Sequence, residues 1–191
     1  MPASPSETIP ATNGNAPFKS LEGSHWIDHL RDGTPVLIRP LQPNDRAREE
    51  TFLRMLSPDS RRFRFLCTFK DASPRLVDQL MDVDYDRRMA FVALAHEEGQ
   101  LREVGVSRYS ATNDNLRCEC AVTVAENWRH RGLAVLLMRH LIDTAREHGF
   151  QQMFSIDAGD NEPMRDLATF LGFRRSLDPD DPSQVLYTLD L

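Results

Sequence analysis

The residues best placed to do chemistry lie between Glu119 and Phe150, in the segment ECAVTVAENWRHRGLAVLLMRHLIDTAREHGF. Arg129, Gly132 and Ala134 spell R-x-x-G-x-A where an apolar run meets a helical repeat. The run is Ala121, Val122, Val124 and Ala125; the repeat is Leu133, Leu136, Leu137, His140, Leu141, Thr144 and Ala145. A helix opening at Leu133 leaves the N–H groups of its first turn unpaired and puts the positive end of its dipole at the same point. Phosphate oxygens bind such a point. Gly132 lets the backbone approach a ligand closely, Ala134 keeps the first turn bare, and Arg129, His130 and Arg131 supply mobile donors. The plainer alternative is an ordinary strand–helix connection with solvated arginines.

Upstream of the turn, the two-residue period of a strand separates Glu119, Ala121, Thr123 and Ala125 from Cys118, Cys120, Val122 and Val124. A glutamate among small residues in a cleft would have a raised pKa and accept a proton near neutrality. The competing reading pairs it with an arginine on the adjacent strand, such as Arg108. Downstream, DNEPMRDLATFLGF at Asp160 to Phe173 reads as a helix. Asp160 or Asn161 caps it and Pro163 sits in its first turn. Met164, Leu167, Ala168 and Leu171 form its apolar stripe, and Gly172 ends it.

In their order and spacing, R-x-x-G-x-A after an apolar strand, then N-x-P-M, then L-G-F resemble the GNAT superfamily of acetyl-CoA-dependent N-acetyltransferases. A narrower likeness is to the acyltransferase domain of bacterial protein lysine acetyltransferases. It rests on R-P-L-x-P-x-D at Arg39 to Asp45, S-R-R-F-R-F at Ser60 to Phe65, Y-D-R-x-M-A-F-V-A at Tyr85 to Ala93, and Cys118-Glu119-Cys120-Ala121. The resemblance implies direct transfer of an acetyl group from acetyl-CoA to an amine, a protein lysine side chain or a small molecule. It implies that the turn Arg129, His130, Arg131, Gly132, Leu133 and Ala134 holds the pyrophosphate. The backbone of Val122, Thr123 and Val124 would carry the pantetheine arm, with a backbone N–H near Val122 facing the thioester oxygen. Asn161 would lie near the cofactor, and Glu119 would be the general base. Many relatives carry a tyrosine after the N-x-P-M helix begins. Here Phe170 and Phe173 stand in that segment, so no general acid is implied, and Tyr187 is not assigned the role. An acyl-CoA-binding sensor with little catalysis is the alternative.

The chain has 191 residues, 40% of them hydrophobic, which suits one domain plus a tail. It has no apolar run long enough for a membrane span and no basic-then-apolar leader. Three cysteines, an odd number, fit a reducing cytoplasm better than a disulfide framework. Cys118 and Cys120 share a strand face and read as buried small hydrophobes. His25 and His29 have no further metal-ligand residues around them, so no metal is expected. A net charge of −6 disfavours nucleic-acid binding. The positive charge is nearly all arginine, Lys19 and Lys70 being the only lysines. Arg61, Arg62, Arg64, Arg87 and Arg88 could line an acceptor site or pair with Asp59, Asp84 and Asp86. The oligomeric state is left open.

These elements imply an α/β domain over residues 32–191. Its sheet is mixed and mostly antiparallel, flanked by helices, and the resemblance adds splayed central parallel strands. Residues 1–31 read as a disordered tail, about 20 residues long, and a short packed arm or helix around Trp26, Ile27 and Leu30. The expected order is a strand at Thr34 to Leu41, then helices capped at Asn44 or Asp45, near Ser60 and at Ser73. An antiparallel meander through Met89, Val104 and Cys118 and a β-α-β crossover to Gln152 follow. The Met164 helix and two closing strands complete it.

Overall fold

A computed structural model describes residues 25–66 and 73–191. The Pro- and Ser-rich tail, Lys19 and Lys70 lie outside the described residues. Eight strands form one sheet: β1 (Trp26–His29), β2 (Pro35–Pro40), β3 (Arg88–Glu97), β4 (Gln100–Ala111), β5 (Arg117–Val124), β6 (Gln152–Ala158), β7 (Arg174–Leu177) and β8 (Gln184–Asp190). Among the described residues five α-helices accompany them: α1 (Arg46–Met55), α2 (Pro58–Phe65), α3 (Pro74–Met81), α4 (Leu133–Glu147) and α5 (Glu162–Leu171). The strand order is β1-β2-β3-β4-β5-β6-β8-β7, antiparallel throughout except for β5 beside β6.

Strand β3 shows why the sheet lies between two layers. Met89, Phe91, Ala93 and Ala95 face the α4 side with Leu133, Leu137 and Leu141. Ala90, Val92 and Leu94 face the other side with Phe52 and Leu53 of α1 and Val77 and Leu80 of α3. A strand covered on both faces needs apolar residues at consecutive positions, and that is how this stretch reads.

Three local expectations change. The Trp26 segment is edge strand β1, paired with β2 from Trp26 opposite Ile38 to His29 opposite Pro35. Asp45 holds the N-cap position of α1, but its side chain makes no cap bond; its buried carboxylate takes both Nη groups of Arg39 at 2.6 and 2.7 Å, Arg48 at 2.8 Å and the Gln42 N–H at 2.9 Å. The R-P-L-x-P-x-D motif is therefore an ion-pair clamp between the end of β2 and the start of α1. The second helix starts earlier than Ser60, at Pro58, with Ser57 as its cap.

The functional feature of the fold is a seam. Strands β5 and β6 are in register only at Arg117–Gln152, Cys118–Met153 and Glu119–Phe154. Both continue, β5 to Val124 and β6 to Ala158, but apart. Along β4 the pairing of β5 runs on to Gly105 opposite Val124. From Cys120 onward β5 thus has a strand neighbour on one edge only, and its other edge opens into a wedge.

Candidate active site

The wedge opens a cavity of about 620 Å³. One end is the start of α4. The backbone arrives there through His130 at φ +62° and Gly132 at φ +91°. Gly132 occupies the N-cap position with no capping side chain; its carbonyl accepts from the Val135 and Leu136 N–H groups at 3.1 and 3.2 Å, and the N–H groups of Leu133 and Ala134 stay available to a ligand. Its positive φ is a second reason for glycine, beyond close approach. Arg31, which sequence reading did not single out, reaches this turn from the loop after β1. Its N–H donates to the Arg131 carbonyl at 3.0 Å, and its side chain would lie 3.5 Å from any Cβ at Gly132. Its signal was absent from the sequence because about a hundred positions separate it from the turn.

Glu119, Val122, Thr123, Val124, Arg129, His130, Gly132, Leu133, Ala134 and Asn161 all line the cavity. Leu133 is almost fully buried, so only its backbone faces a ligand. Arg131 is not on the wall; it pairs with Asp32 at 3.5 Å and lies over the Trp128 ring. The hydroxyl of Thr123 is buried and without a hydrogen-bond partner.

Helix α2 spans the wedge. At its start, Glu126 accepts from the Ser57 N–H at 2.8 Å and from the Ser60 hydroxyl at 2.5 Å. Burial pushes the Glu126 carboxyl up, but these bonds outweigh it and hold the pKa down at about 2. Arg129 donates to the same Ser60 hydroxyl at 2.6 Å. Farther along, Arg62 bridges to Asp160 through two bonds of 2.9 and 3.2 Å, reaching the turn before α5. Arg62 thus finds Asp160 and not the acidic residues near it in sequence, while Arg88 takes Asp82 and Asp84 at 3.4 and 3.3 Å. The phenylalanines of S-R-R-F-R-F, Phe63 and Phe65, line the cavity with Phe170 of α5 opposite.

Asn161 does two jobs. Its carbonyl oxygen accepts from the Met164 N–H at 3.2 Å, capping α5, and its amide donates to Asp157 at 3.2 Å. Asp157 also accepts from Ser155 at 2.6 Å, and burial raises its pKa above the ordinary range. Cys118 and Cys120 are buried and free of disulfides; burial pushes Cys118 up to about 12 and Cys120 well above its usual range, so neither is a nucleophile.

Glu119 stands at the apex of the wedge, the last residue of β5 in register with β6. Its side chain is exposed to the cavity and has no hydrogen bond or ion pair among the described residues. The competing pairing with Arg108 does not form. Register places Ala121 opposite Arg108, and Arg108 instead binds Glu49 of α1 at 2.8 Å and the Leu80 carbonyl at 2.8 Å.

The site is thus a cleft in a mixed sheet with one splayed parallel pair, opening from a carboxylate at the apex to the N-terminus of α4. The comparisons specify the class. The sequence profile of the acetyltransferase (GNAT) family matches residues 52–173, and the chain belongs to that family. Acetyltransferase PA5475 of Pseudomonas aeruginosa is 56% identical over 174 residues, covering 91% of this chain and 94% of that protein. The GNAT domain of S. lividans PAT superposes with a TM-score of 0.79 at 23% identity, covering 87% of this chain and 97% of that one. A cAMP-binding acyltransferase from Mycobacterium smegmatis gives 0.59 at 23% identity, this chain matching 47% of it. At these identities the two structural likenesses speak for the fold.

Proposed function

We propose that the protein transfers an acetyl group from acetyl-CoA to an amine, with Glu119 as general base. The observation that carries this reading is the position of an unpartnered carboxylate where β5 and β6 part, in the same cavity as the opening of α4. The residues suit the co-substrate. The Leu133 and Ala134 N–H groups at the start of α4, with Arg129, His130 and Arg31 beside them, would take the pyrophosphate. The free edge of β5 from Cys120 to Val124 would pair with an extended amide-bearing arm, and the lone hydroxyl of Thr123 offers one more bond. Acetyl-CoA supplies an activated carbonyl; the protein's own part is to orient it and to remove a proton from the amine. Glu119 does the latter directly or through one water. A β5 backbone N–H near Val122 would stabilise negative charge on the carbonyl oxygen. The wall supplies Phe170 and no tyrosine from that stretch of α5, and the leaving thiolate takes its proton from solvent, which its modest basicity allows.

The test is release of CoA thiol from acetyl-CoA against a panel of amines, amino acids and lysine peptides, with calorimetric binding measured in parallel. Turnover with at least one amine supports the transferase. Tight binding with no turnover on any member would favour the acyl-CoA sensor.

A further inference from the structure

A second cavity, of about 190 Å³, lies beyond the apex of the wedge. It shares Arg64, Glu119, Cys120 and Ala121 with the first, so these residues form the partition between the two. Its far wall comes from the end of α3, the start of β3 and the outer part of β4.

The charges on this wall sort into spent and unspent. Arg88 is paired with Asp82 and Asp84. Arg108 is paired with Glu49 and also donates to a backbone carbonyl. Two charged side chains remain with no hydrogen bond or ion pair among the described residues: Arg64 and Glu119. Arg64 is half-buried, its guanidinium stacked 4.8 Å from the centre of the Phe65 ring. Burial first, and then the positive charge of Arg108, pulls its pKa down to about 10, so it is still charged at neutral pH. Glu49, Glu119 and Asp157 act on it through charge and oppose this shift, but none hydrogen-bonds it, and a guanidinium held among protein atoms without a bonded carboxylate is a costly arrangement that a bound one would relieve.

One free cation and one free anion on the partition are the complement of a zwitterion. We infer that the smaller cavity receives the acceptor, and that the acceptor is a free amino acid whose carboxylate binds Arg64 while its amino group meets Glu119. A lysine side chain on a protein surface offers the amine without the adjacent carboxylate. The inference rests on the transferase reading above and specifies its acceptor. In the reaction the ammonium gives one proton to Glu119. The free amine then forms the C–N bond as the C–S bond breaks, and the nitrogen sheds its second proton. The thiolate takes up one proton and the other passes to solvent.

The experiment compares matched acceptors that differ only in the carboxylate: L-methionine with L-methioninamide, and L-phenylalanine with L-phenylalaninamide. Thiol release and product mass are followed for wild type, Arg64→Gln and Arg64→Lys. Wild type should favour an acid over its amide by tenfold or more in kcat/KM. Arg64→Gln should bring that ratio close to one through a raised KM for the acid, and Arg64→Lys should recover part of it. The inference is overturned if wild type prefers the amides. A selectivity ratio unmoved by Arg64→Gln, or a fall in acid turnover matched by the same fall in calorimetric acetyl-CoA affinity, overturns it as well. If a lysine peptide is acetylated and no amino acid is, the acceptor inference fails and the transferase stands. If acetyl-CoA binds and no amine of any kind releases thiol, the transferase reading fails and this inference falls with it.

Discussion

Glu119 and Gly132 mark the two ends of the wedge and answer to different measurements. Glu119→Gln keeps the shape of the side chain and removes its basicity. Turnover on a working acceptor should fall by roughly 10²-fold, with acetyl-CoA affinity held by calorimetry. Wild-type turnover in the mutant would make the glutamate a bystander. Gly132→Glu should weaken acetyl-CoA binding by about tenfold or more, near 1.4 kcal/mol, by setting negative charge beside the phosphate turn. Because Gly132 sits at φ +91°, any side chain strains the backbone there, so Gly132→Ala is the needed companion. The charge effect is the difference between the two variants, and equal losses would assign it all to strain. At this scale the sequence showed the turn and the glutamate, since both lie within one strand–turn–helix stretch. It could not show Arg31 on the cavity wall, nor single out Arg64 from the other arginines named for an acceptor site, because only folding brings β1 and α2 to β5. The alternative pairing of Glu119 with Arg108 fails for a related reason. Strand neighbours can be guessed from order, but the partner of a buried arginine can come from a helix on another layer, here Glu49 of α1.

Helix α2 is tied to both arms of the wedge, through Glu126 after β5 and Asp160 after β6. The tie at Glu126 depends on ionisation. Folded Glu126 stays charged to lower pH than it would in the unfolded chain, so its contribution is complete above about 4.5 and is lost as pH falls toward about 2. Glu126→Gln should lower Tm at pH 7 by ~3 °C, for about 1 kcal/mol after allowance for its exposure. The deficit should shrink in acid; a constant deficit from pH 7 to pH 3 would contradict the ionised tie. The Arg62–Asp160 bridge is more exposed and adds little stability. Helices and central strands were legible because their apolar residues repeat over many positions. The segment at Trp26 was not, since four residues with alternating partial exposure carry too little pattern to separate an edge strand from a turn of helix.

For the molecule as a whole, the largest unbalanced feature of the core is a pair of carboxylates. Glu103 of β4 and Glu49 of α1 are both buried, and both oxygens of Glu103 and one of Glu49 lack hydrogen-bond partners. Burial, then the negative charge of Glu49 beside it, raise the Glu103 pKa well above 4.5. Folded Glu103 therefore keeps its proton where the unfolded chain would release it, and stability declines as pH rises above the ordinary glutamate range. Glu103→Gln supplies the neutral form permanently. Its Tm should match wild type near pH 4 and exceed it by a few degrees at pH 8; a variant less stable than wild type at pH 8 would show that the charge is needed. The three-residue register between β5 and β6 has its own consequence on another timescale. It divides the eight strands into a group of five and a group of three, stitched by Arg117, Cys118 and Glu119. Beyond that stitch, every second amide of β5 has solvent where a strand would be. Those protons should trade for deuterium within seconds in the free protein, while the amides of β3, covered on both edges, hold theirs far longer. An acyl-CoA lying along β5 would act as the missing strand, and the slowed exchange from Cys120 to Val124 would record its seating one amide at a time.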